Sequence, residues 1–212
     1  MEPLDVLIVG VGGLGKCMVQ EALARNLRVS VLVRSRTKLE AGLGAATVAR
    51  LHAVTVGDGS DAAVLDRTIP KGGVVLSGRG ADPQLAAALA AGVQRNGAIK
   101  LCWPAGTTNV LADDGVTPNY KKLLPRGSWV EAAYHAHGAC IDAIQKAGIN
   151  HVIFCPGRMA GIGHRSADVL ATVRINRDAG PFVSYEDAAW VMLEAAATAT
   201  YDRQLVSAAT PA

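Results

Sequence analysis

Apolar residues fall in short continuous runs, separated by stretches in which apolar positions recur every three or four residues, and the two patterns alternate along the whole chain. The continuous runs predict buried β-strands at residues 4 to 9, 28 to 33, 53 to 56, 73 to 77, 98 to 102, 151 to 155 and 203 to 208. The helical spacing predicts helices at 14 to 26, 60 to 69, 82 to 95, 130 to 147 and 185 to 199. The last has a marked start: Ser184 is an N-cap candidate, with Asp187 three residues on, close to a capping box. Strands that are apolar on both faces and alternate with helices imply an α/β fold, a parallel sheet with helices on both faces. No Pro/Ser-rich linker, repeat or low-complexity tract divides the 212 residues, so one domain is expected. In such a sheet, ligands bind beyond the carboxyl ends of the strands.

The sharpest break in pattern comes first. Leu7-Ile8-Val9 runs into Gly10-Val11-Gly12-Gly13-Leu14-Gly15, and a helical pattern follows. This is Gly-x-Gly-x-x-Gly in the strand-to-helix setting of a dinucleotide site, which makes the expected fold a single Rossmann-type domain. Gly10 permits the tight turn, Gly12 or Gly13 leaves the backbone clear for a pyrophosphate, and Gly15 lets the helix pack close to the strand, with Leu14 in the same loop. The N–H groups at the helix start would receive the phosphates. The competing reading is a plain Gly-rich turn; the flanking strand and helix favour the nucleotide.

The end of the second strand selects the nucleotide. An NAD site wants Asp or Glu there to accept from the ribose 2′-OH, whereas this chain reads Val33-Arg34-Ser35-Arg36. Guanidinium groups match phosphate geometry, so Arg34, Ser35 and Arg36 are read as a pocket for the 2′-phosphate of NADP. The competing reading, a solvated basic helix start, is opposed by the helix macrodipole.

The remaining strand ends are rich in Gly, Pro and small polar residues: Gly57-Asp58-Gly59, Ser77-Gly78-Arg79, Pro104-Ala105-Gly106-Thr107-Thr108 and Cys155-Pro156-Gly157-Arg158. Close approach of a flat cofactor requires such residues. The candidate cofactor contacts are therefore Asp58, Gly59, Ser77, Gly78, Arg79, Ala105, Gly106, Cys155, Pro156 and Gly157. Asp58 either accepts from an adenine amino group or opens the next helix. Arg79 and Arg158 either touch cofactor or substrate or lie solvated.

Composition narrows the picture further. Half of the residues are hydrophobic but only 4% are aromatic, so the core is built from Ala, Val, Leu and Ile. A formal charge of +3, carried by scattered basic residues, does not suit nucleic acid as a partner. The cysteines, Cys17, Cys102, Cys140 and Cys155, form no Cys-x-x-Cys pair and read as buried thiols. Met1-Glu2-Pro3 leads straight into the first strand without a signal sequence, and no apolar run is long enough for a membrane span. The expected setting is a reducing cytoplasm, and the expected assembly a monomer or weak homodimer.

In order and spacing these residues resemble a family. Gly10 to Gly15, Val31-Leu32-Val33-Arg34, Gly57-Asp58 with Asp61, Pro104-Ala105-Gly106-Thr107, Ala147-Gly148-Ile149, Phe154-Cys155-Pro156-Gly157-Arg158 and Tyr185-Glu186-Asp187-Ala188-Ala189 look like the motifs of atypical short-chain dehydrogenase/reductases. The small NmrA-like and biliverdin-reductase-B-like (flavin reductase) members are the most similar. The resemblance, which covers nearly the whole chain, implies NADP bound across the strand ends and a substrate pocket formed by the loops after the fifth and sixth strands. Two departures stand out. The family's usual Gly-x-x-Gly-x-x-Gly fails here, because Lys16 follows Gly10 and Gly13 at the third place. The Tyr-x-x-x-Lys of standard short-chain dehydrogenases is also missing: Tyr120, Tyr134, Tyr185 and Tyr201 are followed four residues on by Leu124, Gly138, Ala189 and Leu205.

In standard members that lysine lowers the tyrosine pKa so that the phenol passes a proton to or from a carbonyl. Without it, the expected acceptors are planar conjugated molecules, such as flavins, quinones and linear tetrapyrroles, which take a hydride when stacked and draw protons from solvent. The candidate catalytic residues are Thr107, in the loop where relatives carry a small hydroxyl residue, and Tyr134 and His137, three apart on one helix. The resemblance places His137 where biliverdin-reductase-B-like members carry a histidine; the competing reading is a half-buried polar role, which is the one taken for His52, His151 and His164. His135 and His137 diverge on their helix, so no metal is expected. The reading is an NADP-dependent reductase of a small planar acceptor, with an NADP-binding sensor of NmrA type, without turnover, as the alternative.

Overall fold

Val6, Leu7, Ile8 and Val9 are all buried because their strand, β1 (Asp5–Val9), has neighbours on both edges and helices over both faces. The structure is a computed structural model that describes residues 3–211; Met1 and Glu2 of the expected leader-free start, and Ala212, lie outside the described residues. After β1 come α1 (Gly13–Ala24), β2 (Arg28–Val33), α2 (Arg36–Leu43), α3 (Ala45–Val48), β3 (Ala53–Val56), α4 (Ala62–Asp66), β4 (Val74–Ser77), α5 (Pro83–Asn96) and β5 (Lys100–Pro104). The second half holds α6 (Asn119–Leu123), α7 (Trp129–Lys146), β6 (His151–Phe154), β7 (Arg158–Ala160), β8 (Arg174–Ile175), β9 (Phe182–Ser184), α8 (Tyr185–Ala197) and β10 (Gln204–Ser207).

The main sheet runs β3-β2-β1-β4-β5-β6-β10-β8. Every pair is parallel except β10 with β8, where Val206 faces Ile175. Strand order reverses between β1 and β4, in register from Val6 with Val74 to Val9 with Ser77, and such a reversal opens a crevice at the carboxyl edge. Alternation along β1 divides the core. Val6 and Ile8 pack with Met18, Val19 and Ala22 of α1 and with Val191, Met192 and Ala195 of α8. Leu7 and Val9 face Leu89, Ala90 and Val93 of α5 and Cys140 and Ile144 of α7. Each fully buried Leu or Ile contributes about 1.5–3 kcal/mol, and the small residues on α5 and α8 let those helices lie close.

Cap chemistry sets the boundaries. Ser184 Oγ accepts from the Asp187 N–H at 3.0 Å, which starts α8 where the sequence placed it. The Asp187 carboxylate does not complete a capping box; it is buried and accepts from Ser166 N, Ser166 Oγ and Thr210 Oγ1. The helix expected at 60 to 69 shrinks to α4 because Asp61 caps it, accepting from Ala63 N at 2.8 Å. Several elements went unread. Only Leu39 and Leu43 of α2 are buried, too few to mark a period, and β8 has two exposed residues. β7 and β9 pair in a separate two-stranded sheet. Among the described residues, no helix is long and apolar enough to cross a membrane.

Candidate functional site

The glycines of the first loop do different work. Gly10, at φ +83°, makes the turn that only glycine adopts without strain. A Cβ on Gly15 would stand 2.1 Å from the Gly10 carbonyl oxygen, and one on Gly78 equally close, so these residues let α1 and the end of β4 close on β1. A Cβ on Gly13 would meet the Tyr185 ring at 2.6 Å. Gly12 differs: a Cβ there would meet nothing within 4 Å, because it faces a cleft. Gly12 is also the N-cap of α1, a helix start without a side-chain cap, so the N–H groups of the first turn remain available to an anion.

That cleft, of about 830 Å³, lies over the carboxyl ends of β1, β2, β3 and β4. Arg34, Ser35 and Lys38 line it at the β2 end. Ser35 Oγ also caps α2, accepting from Lys38 N at 3.3 Å, which fixes the backbone of the helix's first turn. Arg36, expected with them, is turned away: its Nε donates to Glu40 Oε1 at 2.8 Å, one helical turn on. Asp58 lines the cleft, and its Oδ1 accepts from Ser60 N at 2.9 Å and Ser60 Oγ at 2.7 Å. Those bonds, with smaller help from Arg34 and Arg79, hold its carboxyl below the usual range. It does not open the next helix, since Asp61 does. Gly59 lies beside it, and a Cβ there would meet Leu85 Cδ1 at 2.8 Å. Ser77 is fully buried and does not line this cleft; its hydroxyl donates to the Arg79 carbonyl at 2.6 Å, shaping the loop that presents Gly78 and Arg79. Arg79 faces the cleft, paired with Asp82 at 3.3 Å.

A second cleft, of about 860 Å³, meets the first at Gly78. Gly13, Leu14, Ala105, Gly106, Thr107, Pro156 and Gly157 line it, while Cys155 does not. The Cys155 thiol is sealed in the core, where burial raises its pKa strongly, and its N–H is committed to the Val206 carbonyl. The face of α7 turned to the cleft is Trp129, Ala133 and His137, at i, i+4 and i+8. Tyr134 is off that face: it stacks on Tyr120, ring centroids 4.1 Å apart, so its pairing with His137 as a catalytic unit is corrected. The His137 ring lies against the Gly106 backbone, where a Cβ would come within 2.8 Å of Cδ2. Burial lowers the His137 pKa, which keeps the imidazole neutral near neutral pH.

Thr107 is held in a network. Its hydroxyl donates to Asp178 Oδ1 at 2.7 Å and accepts from Asn119 Nδ2 at 2.9 Å. The single Thr107 proton is therefore spent on Asp178, leaving one lone pair free to accept. Among the cleft residues that escaped the sequence reading of this site are Tyr185, Lys122, Arg126 and Trp129. Tyr185 carried a signal, since it follows an N-cap at a strand's carboxyl end. Nothing in the irregular stretch around α6 announced the others.

An extended anionic ligand fits the first cleft: an open glycine at a helix start, cations at the end of β2, and small residues leading to a second, more apolar chamber. The sequence profile of a family described as NAD(P)H-binding matches residues 10–199. No curated protein matches the chain. Solved structures do. A short-chain dehydrogenase/reductase from Veillonella parvula in complex with NADP superposes with a TM-score of 0.75 at 13% identity, covering 98% of this chain and 95% of that one. The anaerobilin reductase of Escherichia coli O157:H7 gives 0.71 at 19%, covering 98% and 97%. A candidate NADH-flavin reductase from Streptococcus pneumoniae gives 0.71 at 14%, covering 98% and 100%. With strand order, glycine loop and profile in agreement, this chain belongs to the NAD(P)H-binding family.

Proposed function

We propose that the whole chain, residues 1–212, is one NADP-binding domain with a small substrate pocket, and that it acts as an NADPH-dependent reductase of the NmrA-like, biliverdin-reductase-B-like type. Its acceptor is a planar conjugated molecule: a flavin, a quinone or a linear tetrapyrrole. The observation that carries this reading is the junction of the two clefts at Gly78, the first cationic at the β2 end and the second lined by Trp129, Tyr185, His137 and Met159. The NADP complex among the structural neighbours, and the neighbours named for reducing anaerobilin and flavin, support it.

In this reading Gly12 and the start of α1 hold the pyrophosphate, while Arg34, Ser35 and Lys38 hold the 2′-phosphate. When bound, the reduced nicotinamide supplies the hydride. Ala105, Gly106, Pro156 and Gly157 admit flat rings because they carry little side chain. Thr107, having no free proton, accepts a hydrogen bond and so orients rather than protonates. Trp129 offers an exposed ring on which an acceptor stacks. No lysine lies one turn after Tyr185, where Ala189 stands, so the Tyr-x-x-x-Lys pair used in carbonyl reduction is missing there. Four free thiols suit a reducing cytoplasm.

The test is NADPH oxidation, followed by its near-ultraviolet absorbance, against flavins, quinones and linear tetrapyrroles. Turnover with at least one class and little with simple ketones is expected. NADPH binding without oxidation by any of them would leave the sensor reading in its place.

A further inference from the structure

We infer that the acceptor carries an anionic group, a phosphate or a carboxylate, and that Arg126 and Arg158 at the second cleft select for it. This rests on the reductase reading of that cleft. A neutral ring system would be served by the apolar and aromatic lining alone. Yet three cations line the same chamber, Lys122, Arg126 and Arg158, against one carboxylate, Asp178. Asp178 is engaged through Oδ1 with Thr107, and Lys122 is ion-paired with Asp113 outside the lining. Arg126 and Arg158 form no salt bridge among the described residues.

The two arginines come from separate segments, and each is tied to an aromatic ring. Arg126 ends the short turn after α6, and its carbonyl accepts from Trp129 Nε1 at 3.1 Å, which sets the stacking platform beside the guanidinium's own residue. Arg158 opens β7 with its Cζ 5.0 Å from the Phe182 ring centroid. A guanidinium has five N–H donors in a fork that fits phosphate or carboxylate oxygens, and these two forks have no protein carboxylate to fill them. Two unmatched positive charges beside an apolar chamber attract a ligand with a flat body and an acidic arm.

FMN and riboflavin share one reactive ring and differ by a phosphate, so their ratio reads the charge alone. With NADPH saturating and low salt, kcat/KM should favour FMN by about tenfold. A linear tetrapyrrole with free propionates should outrun its dimethyl ester in the same way, which tells carboxylate from phosphate as the anion. The preference should shrink as salt screens it. In the double variant Arg126→Gln with Arg158→Gln it should vanish, the loss falling on FMN rather than on riboflavin, and because both residues are exposed the variant should fold. Ratios near one for both pairs in the native protein, or a preference that survives in the double variant, would overturn the inference. If no flavin, quinone or tetrapyrrole is reduced, the reductase reading fails separately. Flavin fluorescence quenching, with NADP⁺ filling the first cleft, then decides: tighter FMN supports the charge selection, and equal affinities sink it.

Discussion

Gly12 and Gly15 stand three residues apart in one loop, and an added side chain should do opposite things to them. At Gly12 the space beyond the Cα is the cleft, so Gly12→Val should leave folding intact and abolish NADPH binding. At Gly15 the Cβ would press to 2.1 Å from a backbone oxygen, so Gly15→Ala should cost about 1–3 kcal/mol or more of stability, read by denaturant midpoint. NADPH binding by Gly12→Val at native affinity would move the nucleotide elsewhere. The cations at the β2 end divide in the same manner. Charge-assisted hydrogen bonds contribute about 1.5–3 kcal/mol, so NADPH should bind tenfold to a hundredfold more tightly than NADH, and Arg34→Glu should erase or invert that ratio in calorimetry. Lys38→Ala should reduce it. Arg36→Ala should not, because Glu40 already holds that guanidinium. The sequence brought Arg34 and Arg36 forward alike. Two arginines two apart leave a helix start in different directions, and only packing reveals which one faces the cleft.

Along α7 the difference between reading and structure is one of phase. His137 lies in the second cleft, but the partner that shares its face is Ala133 rather than Tyr134, since four residues bring a helix to about 40° past a full turn and three leave it about 60° short. Tyr134→Phe should accordingly keep most of the activity, the stack on Tyr120 needing no hydroxyl. A loss beyond about a thousandfold with unchanged NADPH affinity would mean that a catalytic tyrosine had been assigned away. His137 has a pH signature. Its folded pKa lies below the ordinary value of 6.5, so the unfolded chain takes up the proton first as pH falls. Its contribution to stability is present above about pH 6.5 and is lost as pH drops through the folded value. His137→Asn should flatten that acid-side decline in thermal unfolding, and an unaltered slope would assign it to other groups. β5 carries a stability device of another kind. Buried Lys100 donates to the Ala195 carbonyl at 2.9 Å and to that of Thr198, at the end of α8, and is ion-paired with Asp202. Lys100→Ala should cost about 3 kcal/mol by stranding those acceptors.

At the scale of the molecule, what could be read from the sequence followed from how local its cause is. The strands of the parallel sheet announce themselves as largely apolar runs, and Arg28–Val33 and Ala53–Val56 fall where they were expected, although the latter, at the sheet edge, is not buried. The glycine loop is equally local. The second chamber is not, because Lys122, Arg126 and Trp129, from the short turns around α6 and the start of α7, meet Tyr185 there with no common period. The two clefts therefore differ in how far sequence alone describes them, and they also separate experimentally. Ligand that binds only the folded chain stabilises it by mass action, about 2.7 kcal/mol at a hundred times Kd. For a chain of 212 residues that corresponds to a rise in Tm of about 5–10 °C with NADPH. NADH at the same concentration should give half that rise or less, Gly12→Val should show none, and the Arg126→Gln, Arg158→Gln double variant should keep it in full, because its lesion lies in the other cleft. Equal shifts from NADPH and NADH would remove Arg34 and Lys38 from the recognition of the 2′-phosphate. A shift lost in the double variant would show that the two clefts are one energetic unit, with the rim arginines acting on the cofactor rather than on the acceptor.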